Sequence, residues 1–594
     1  MTQPDETAPD PETGDNDEPA VDRVIGRASA TERQANTSEQ FQFWLRPGEQ
    51  VNPFDIVAAE HLDETVSYGL VTGIHHSTDA PTHLTNFIAN DFGELVEDPN
   101  TPRQGANVCE VSVMSNTGEI YMPVQTEALV RFADEEGIHH GLGIEIMAEK
   151  ERDQNRPVRV PGGLIQMSNG ISAVADLDID YVVGPEAAHV NVGGISGLAT
   201  KTSYVMFLLQ SLLQVLDRSA RAEGTSSDVA VILVNVKHND LLQIHEEPRS
   251  YSDEDLQMWQ AMGLQAQPFR NVEYLLPAGR MTQQVPDRPN SYEPYPPVGL
   301  FKIYGYGLRD AYARLPDLLA DVPDEYGVLD AIMGEIITGL DSNRGGWENV
   351  QTWDDLVRNS PLRQWIDGTA HAPGALQQRS LLRFVRYLNR LVRDRNSGLL
   401  VQRREQRWTT ISSELRQIEG GKTYVVDIAK IQDHEQALVF GDVVRTVYEV
   451  MSAGADEGVD FGELDDGDGG RAPKRVILFV DELNKFAPTA GRDSPLLHDL
   501  IEIAERGRSL GVVLLSAQQF ASAVHSRVIG NSATRVFGRT APTELSQAAY
   551  RGLNEAVRGH LVRLSKGELI LTHPLYRQPV KIRFPRPAYR QPGT

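Results

Sequence analysis

Residues 193–213 read GGISGLATKTSYVMFLLQSLL. A run of small residues leads into a Lys-Thr pair, and apolar residues then recur at helical spacing. The arrangement approaches the phosphate-binding loop G-x-x-x-x-G-K-[ST] without matching it. Gly194 lies one residue too far from Lys201, and Thr200 stands where the second glycine belongs. The stretch is either an altered nucleotide loop or a turn that merely starts a helix.

Its surroundings separate the two. AHVNVGG precedes it as a strand, and the helix expected from Thr202 to about Ser219 puts Val205, Leu208, Leu209, Leu212 and Leu216 on one face. The run from Val229 to Val236 is apolar without alternation, as a strand covered on both faces requires. This is the texture of a βαβ unit. Far downstream, KRVILFVDELNKFAP gives a second buried strand, Val476 to Val480, ending in Asp481 and Glu482. Ligands bind at that carboxyl edge of an open α/β sheet. Asp481 suits the oxygen-ligated shell of Mg²⁺, and Glu482 suits orienting or deprotonating a water that attacks a γ-phosphate. An acid pair of this kind favours the nucleotide loop. Gly194, Ser196, Gly197 and Thr200 then form a segment whose backbone N–H groups face phosphate oxygens at a helix start. Lys201 supplies charge for the β- and γ-phosphates, and Thr202 a hydroxyl for the metal; Ser203 offers a second hydroxyl.

Residues 496–519, LLHDLIEIAERGRSLGVVLLSAQQ, read as helix, basic turn and buried strand from Val512 to Leu515. Gln518 follows, where an amide can sense the γ-phosphate or place the water. Arg506 and Arg508 fall on the turn, as a helix C-terminal cap or as arginine fingers reaching a neighbour's site. Arg535 and Arg539 in NSATRVFGRT carry the same two readings.

With 594 residues the chain exceeds one ordinary domain. Residues 1–45 are acidic and proline-rich, which predicts a disordered tail and no signal peptide. Short β-rich runs such as FDIVAAE, VSYGLVTGI and ANVCEVSVM predict a small β-barrel or sandwich over 46–185. Residues 186–594 are expected to form the α/β domain, with a mostly helical insertion at about 250–420. The acidic run ending DDGDGG lacks the full calcium-loop pattern and reads as a loop. The histidines lack zinc-ligand spacing, and no nucleophile constellation is found. One cysteine, Cys109, excludes an internal disulfide, and no apolar run of about 18–20 residues predicts a membrane span. The expectation is a cytoplasmic protein. The net charge of −27, with arginine in excess of lysine, fits a salt-in halophile or a high-GC bacterium.

Taken together, VILFVDELNKFAP, IAERGRSLGVVLLSAQQ, NSATRVFGRT, VILVNVKHNDLL and the C-terminal LSKGELILTHPLYRQPVKIRFPRP resemble the HerA-like branch of the HerA–FtsK group of P-loop ATPases. FDIVAAE and YGLVTGI are similar to that branch's N-terminal barrel. The resemblance implies an α/β fold: a RecA-like P-loop motor domain with an N-terminal small β-barrel. It implies ATP and Mg²⁺ as cofactors, a homo-hexameric ring and double-stranded DNA as the translocated partner. A NurA-like nuclease or a defence effector is the implied accessory. By motif position Gln518 becomes the sensor and Arg508 the trans finger. Two departures stand out: the altered phosphate loop, and Ala187 and Ala188 before His189 where an arginine is often found. They make ATP binding a firmer expectation than fast hydrolysis. Lys237, His238, Lys485 and Arg492 lie on loops that could face DNA in a pore.

Overall fold

The computed structural model describes residues 23–89, 92, 104–195, 201–222, 224–225, 227–280, 288–319, 327–374, 376–393, 397–401, 408–456, 472–490 and 494–592. These divide into two compact units. One gathers the described residues up to Glu149 with Leu164–Ala173 and Leu575–Lys581, and the other holds the rest.

The first unit contains a closed barrel of six strands: β1 (Val24–Ser29), β2 (Gln40–Leu45), β3 (Ile56–Glu60), β4 (Val66–Thr78), β5 (Gly105–Asn116) and β6 (Leu129–Phe132). They run in the order β1-β2-β5-β4-β3-β6, and β1 closes the ring by pairing antiparallel with both β2 and β6. Period-two alternation drives it: Phe41, Phe43 and Leu45 are buried while Gln40, Gln42 and Trp44 lie on the other face. Burial pushes the Cys109 thiol up to about 12, which leaves it a small apolar filler and not a reactive thiolate.

Two expectations about this region change. The tail predicted through residue 45 stops earlier, because VIGRAS and QFQFWL are barrel strands. An acidic composition averaged over the whole segment hides them. The barrel also ends before 185: β7 (Arg159–Gln166) and β8 (Ser172–Asp178) join the large sheet. Six central residues of β7 are buried in succession, the mark of a strand covered on both faces.

That sheet has thirteen strands. The others are β9 (Val190–Gly193), β10 (Val229–Asn235), β11 (Val272–Pro277), β12 (Phe301–Tyr304), β13 (Trp408–Thr409), β14 (Thr423–Asp427), β15 (Arg475–Asp481), β16 (Val512–Gln518), β17 (Thr534–Phe537), β18 (Glu568–Thr572) and β19 (Val580–Arg583). The order is β13-β12-β11-β14-β10-β15-β16-β9-β17-β18-β19-β7-β8. Every pairing from β13 to β17 is parallel, and β18 meets β17 antiparallel. Parallel neighbours need long crossovers. The helices Lys201–Ala222, Asp433–Asp456 and Pro495–Leu510 supply them, linking β9 to β10, β14 to β15 and β15 to β16. This is a RecA-like α/β fold. The insertion expected at 250–420 is less helical than its sequence texture implies, because β11, β12 and β13 come from it. Its acidic neighbour, residues 457–471, lies outside the described residues.

The first crossover helix is buried beyond its predicted stripe. Tyr204 to Leu212 are all buried, and polar members find partners: Tyr204 Oη donates to the Gly162 carbonyl (3.0 Å), Ser211 Oγ to the Pro161 carbonyl (2.8 Å) and Gln210 Nε2 to the Gln267 carbonyl (2.8 Å). Each large apolar side chain it buries contributes about 1.5–3 kcal/mol. The helix start is therefore held rigidly under the sheet edge. Among the described residues, no helix is long and apolar enough to cross a membrane.

Candidate active site

β16 separates the strand that leads into the phosphate loop from the strand that ends in the acids. Gln518 is in register with Gly193 on one side, and Ala517 with Asp481 on the other. Two strand spacings, about 10 Å, therefore lie between the loop strand and the acid strand at the carboxyl edge. That gap suits a phosphate group and a hydrated cation.

The chain leaves β9 under tight constraint. Gly194 has φ +156°, and a Cβ there would sit 3.1 Å from Gly538 Cα. Its N–H donates to the Gln518 carbonyl (3.3 Å), and the Ile195 N–H donates to the Arg539 carbonyl (2.8 Å). The backbone angle and the close approach of Gly538 both favour glycine at this position. The predicted loop residues Ser196, Gly197 and Thr200 lie outside the described residues.

Description resumes at Lys201, the first residue of the crossover helix. Thr202 Oγ1 donates to Asp481 Oδ2 at 2.8 Å. Thr202, and not Ser203, is thus the hydroxyl that meets the acid. Lys201 is buried, and its Nζ lies 3.6 Å from Glu482 Oε1. Burial is the chief cause that lowers the Lys201 pKa, and the attraction of Glu482 and Asp481 offsets it only partly. Glu482 adopts the left-handed conformation, φ 53° and ψ 50°, and its N–H donates to Asp481 Oδ1 (2.9 Å). The kink turns the second carboxylate toward the lysines. A non-glycine residue held in this region marks local strain of the kind that clusters at working sites.

Sequence reasoning misplaced Lys237. Read from the sequence as a candidate DNA contact, it instead donates to Glu482 Oε1 at 2.7 Å and to Asp481 Oδ2 at 3.1 Å while its side chain stays 38% exposed. Burial opposes its charge most, yet Asp481 and Glu482 together outweigh that and raise its pKa. Burial and the nearby Asp481 charge also raise the pKa of Asp240. The centre is a square of two lysines and two carboxylates.

Gln518 is fully buried and locked amide to amide: its Nε2 donates to Asn191 Oδ1 (2.7 Å), and Asn191 Nδ2 donates to Gln518 Oε1 (3.2 Å) and Ser516 Oγ (2.9 Å). Asn191 and Ser516 were not singled out from the sequence, although both end in polar groups on otherwise apolar strands.

Arg506 and Arg508 do not join the site within one chain. Both belong to the Pro495–Leu510 helix, Arg508 in its last turn, and not to a free turn. That turn adjoins the start of β16, and six strand steps, about 20 Å, separate the start of β16 from its end at Gln518. Arg508 Nη1 donates to the Glu186 carbonyl (2.6 Å), and Arg506 pairs with Glu502 (3.3 Å). Arg535 donates to the Ile529 carbonyl, and burial lowers its pKa. Arg539, whose carbonyl pins Ile195, is the arginine candidate beside the loop. Of the remaining DNA candidates, Lys485 pairs with Asp433 (2.5 Å) and the His238 ring stacks on Tyr292 at 4.4 Å. Arg492 lies outside the described residues. A separate pocket of about 240 Å³, lined by Arg156, Asp180, Ser227, Asp228, Lys474 and Arg475 among others, opens beside the starts of β10 and β15 and takes no part in this arrangement.

No protein-family model matches the chain, and no curated protein is similar to it. Solved structures are. The plasmid coupling protein TrwB in complex with the ATP analogue ADPNP is 13% identical, with TM-score 0.38 over 68% of this chain and 87% of that one. VirB4 of Thermoanaerobacter pseudethanolicus is 13% identical, with TM-score 0.38 over 72% of this chain and 96% of that one. The genome packaging NTPase B204 from Sulfolobus turreted icosahedral virus 2, in complex with ATP-gammaS, is 13% identical, with TM-score 0.20 over 30% of this chain and 72% of that one.

Proposed function

We propose that this chain is an ATPase of the HerA-like type that moves double-stranded DNA as a homo-hexameric ring, with a nuclease or a defence effector as its accessory. The observation that carries the reading is the convergence of Lys201 and Thr202, from one helix start, on Asp481 and Glu482, at the end of the strand two places from β9. Phosphate ligands need a cation and free N–H groups, and a helix start after a glycine supplies both.

The donor set fits Mg²⁺: Thr202 Oγ1 and Asp481 Oδ2 are hard oxygens 2.8 Å apart. When bound, the cation would neutralise charge on the β- and γ-phosphates. The chain's own groups do the rest. Lys201 binds the phosphate oxygens. Glu482 orients a water against the γ-phosphorus and takes its proton as the new P–O bond forms and the bond to the ADP oxygen breaks. Asn191 holds Gln518 at the end of β16, where its place between the two halves of the site supports a sensor role. Arg508, remote from its own site, is available to a neighbouring subunit in a ring.

A second reading is a ring that ATP assembles into a scaffold with little turnover. The loop's extra residue and Thr200 favour it. ATP hydrolysis by the full chain in high-potassium buffer, with and without linear duplex DNA, decides between them. The motor predicts DNA-stimulated turnover that Glu482→Gln reduces at least 100-fold while ATP binding persists. ATP binding without turnover under both conditions would leave only the scaffold.

A further inference from the structure

The helix Gln378–Val392 carries a concentrated run of positive charge. Residues 368–393 contain no Asp or Glu, in a chain whose net charge is −27. Arg379, Arg383, Arg386 and Arg390 are all exposed. Their spacing of four, three and four residues keeps them within an arc of about 60° and over a length of about 17 Å. Arg379, Arg383 and Arg386 make no ion pair among the described residues, and Arg390 lies over the Tyr387 ring, 5.0 Å from its centroid. Only Arg393, just past the helix end, has an acid partner, Asp354 at 3.3 Å.

Such a stripe works against the fold that bears it. Like charges three and four residues apart repel along a helix. The opposite face offers no reason for the arginines, because Leu381, Phe384, Val385, Leu388 and Leu391 are already buried against neighbouring helices of the insertion. That burial also excludes a membrane-surface role, which would need the apolar face free. Nor does the stripe look like a protein contact. Among the described residues of this helix, no exposed one is a large apolar side chain, so the face itself carries no apolar anchor. What fits is a regular polyanion. Guanidinium forks take phosphate oxygens in pairs, and 17 Å matches about five nucleotide steps of one DNA strand.

We propose that this arginine face is a contact surface for the phosphate backbone of duplex DNA. It gives an acidic protein a local cationic track, and it reads no sequence. The inference rests on the motor reading above, but it is tested separately.

The full chain would be titrated with a mixed-sequence linear duplex of about 30 base pairs by fluorescence anisotropy, over a potassium chloride series. The variants are the four single Arg→Gln changes and the quadruple Arg379→Gln, Arg383→Gln, Arg386→Gln, Arg390→Gln. Glutamine keeps helix propensity. For each subunit engaged on the duplex, a single change should reduce the steepness of log affinity against log salt by about 0.9, and the quadruple by about 3.6. ATP turnover without DNA and oligomeric mass should stay at wild-type values. If the quadruple fails to fold, the single variants carry the same slope test. Unchanged affinity and slope in folded variants would overturn the inference while leaving the motor intact. Loss of the oligomer in the quadruple would also overturn it, assigning the stripe to a subunit contact. A wild-type protein that binds no duplex at any salt would overturn both readings. DNA binding that follows the slopes, without any ATP turnover, would sink the motor alone.

Discussion

Glu482 is held by two ammonium groups, and the nearer one belongs to Lys237 at 2.7 Å. On the mechanism proposed above, Lys237 is a positioning residue for Glu482. Lys237→Met should lower turnover at least tenfold while changing nucleotide affinity by no more than a few-fold, as steady-state kinetics and a binding titration would reveal. Wild-type turnover in the variant would mean that Glu482 needs no such hold. The stability cost should be about 1–2 kcal/mol, between an exposed pair and a buried one, because Asp481 is 5% exposed but Lys237 is 38% exposed and water screens it. The four residues Lys201, Thr202, Asp481 and Glu482 were legible in the sequence because each sits at a fixed offset from a local pattern. Lys237 and Asn191 were not. Their partners lie 244 and 327 residues away and meet them only through the strand order. The left-handed turn at Glu482 was equally hidden, since nothing in the letters D-E demands it.

Among the elements, those with a strong period were readable and those with mixed composition were not. The long crossover helix and the apolar strands β10, β15 and β16 announced themselves. β1 and β2 were masked by acidic surroundings, and β11 to β13 are short strands scattered among helical segments. The exit of β9 shows how much one element end can depend on a single position. Gly194→Ala would place a methyl 3.1 Å from Gly538 Cα at a backbone angle that side chains rarely adopt. The strain should cost about 1–3 kcal/mol. It should also displace the loop that follows, weakening ATP binding about tenfold or more. Isothermal titration alongside thermal melting would check both, and a melt shift without an affinity change would place the strain outside the loop.

At the scale of the molecule, a formal charge of −27 is a repulsive load on the folded state. Raising potassium chloride from about 0.1 M to 1 M shortens the screening length from about 10 Å to 3 Å. The thermal midpoint should therefore rise with salt, and a midpoint that falls would show that attractive pairs outweigh the repulsion. DNA affinity should move the opposite way over the same range, so a working concentration must satisfy both. Within this charged body, the strand between the loop and the acids behaves as a gauge block. The Asn191–Gln518 clasp stitches it to β9, and parallel pairing stitches it to β15. The gap between the two strand ends therefore cannot be narrowed or widened without tearing the sheet. On the motor reading proposed above, a subunit built this way would throttle its chemistry by swinging side chains across a jaw of constant width.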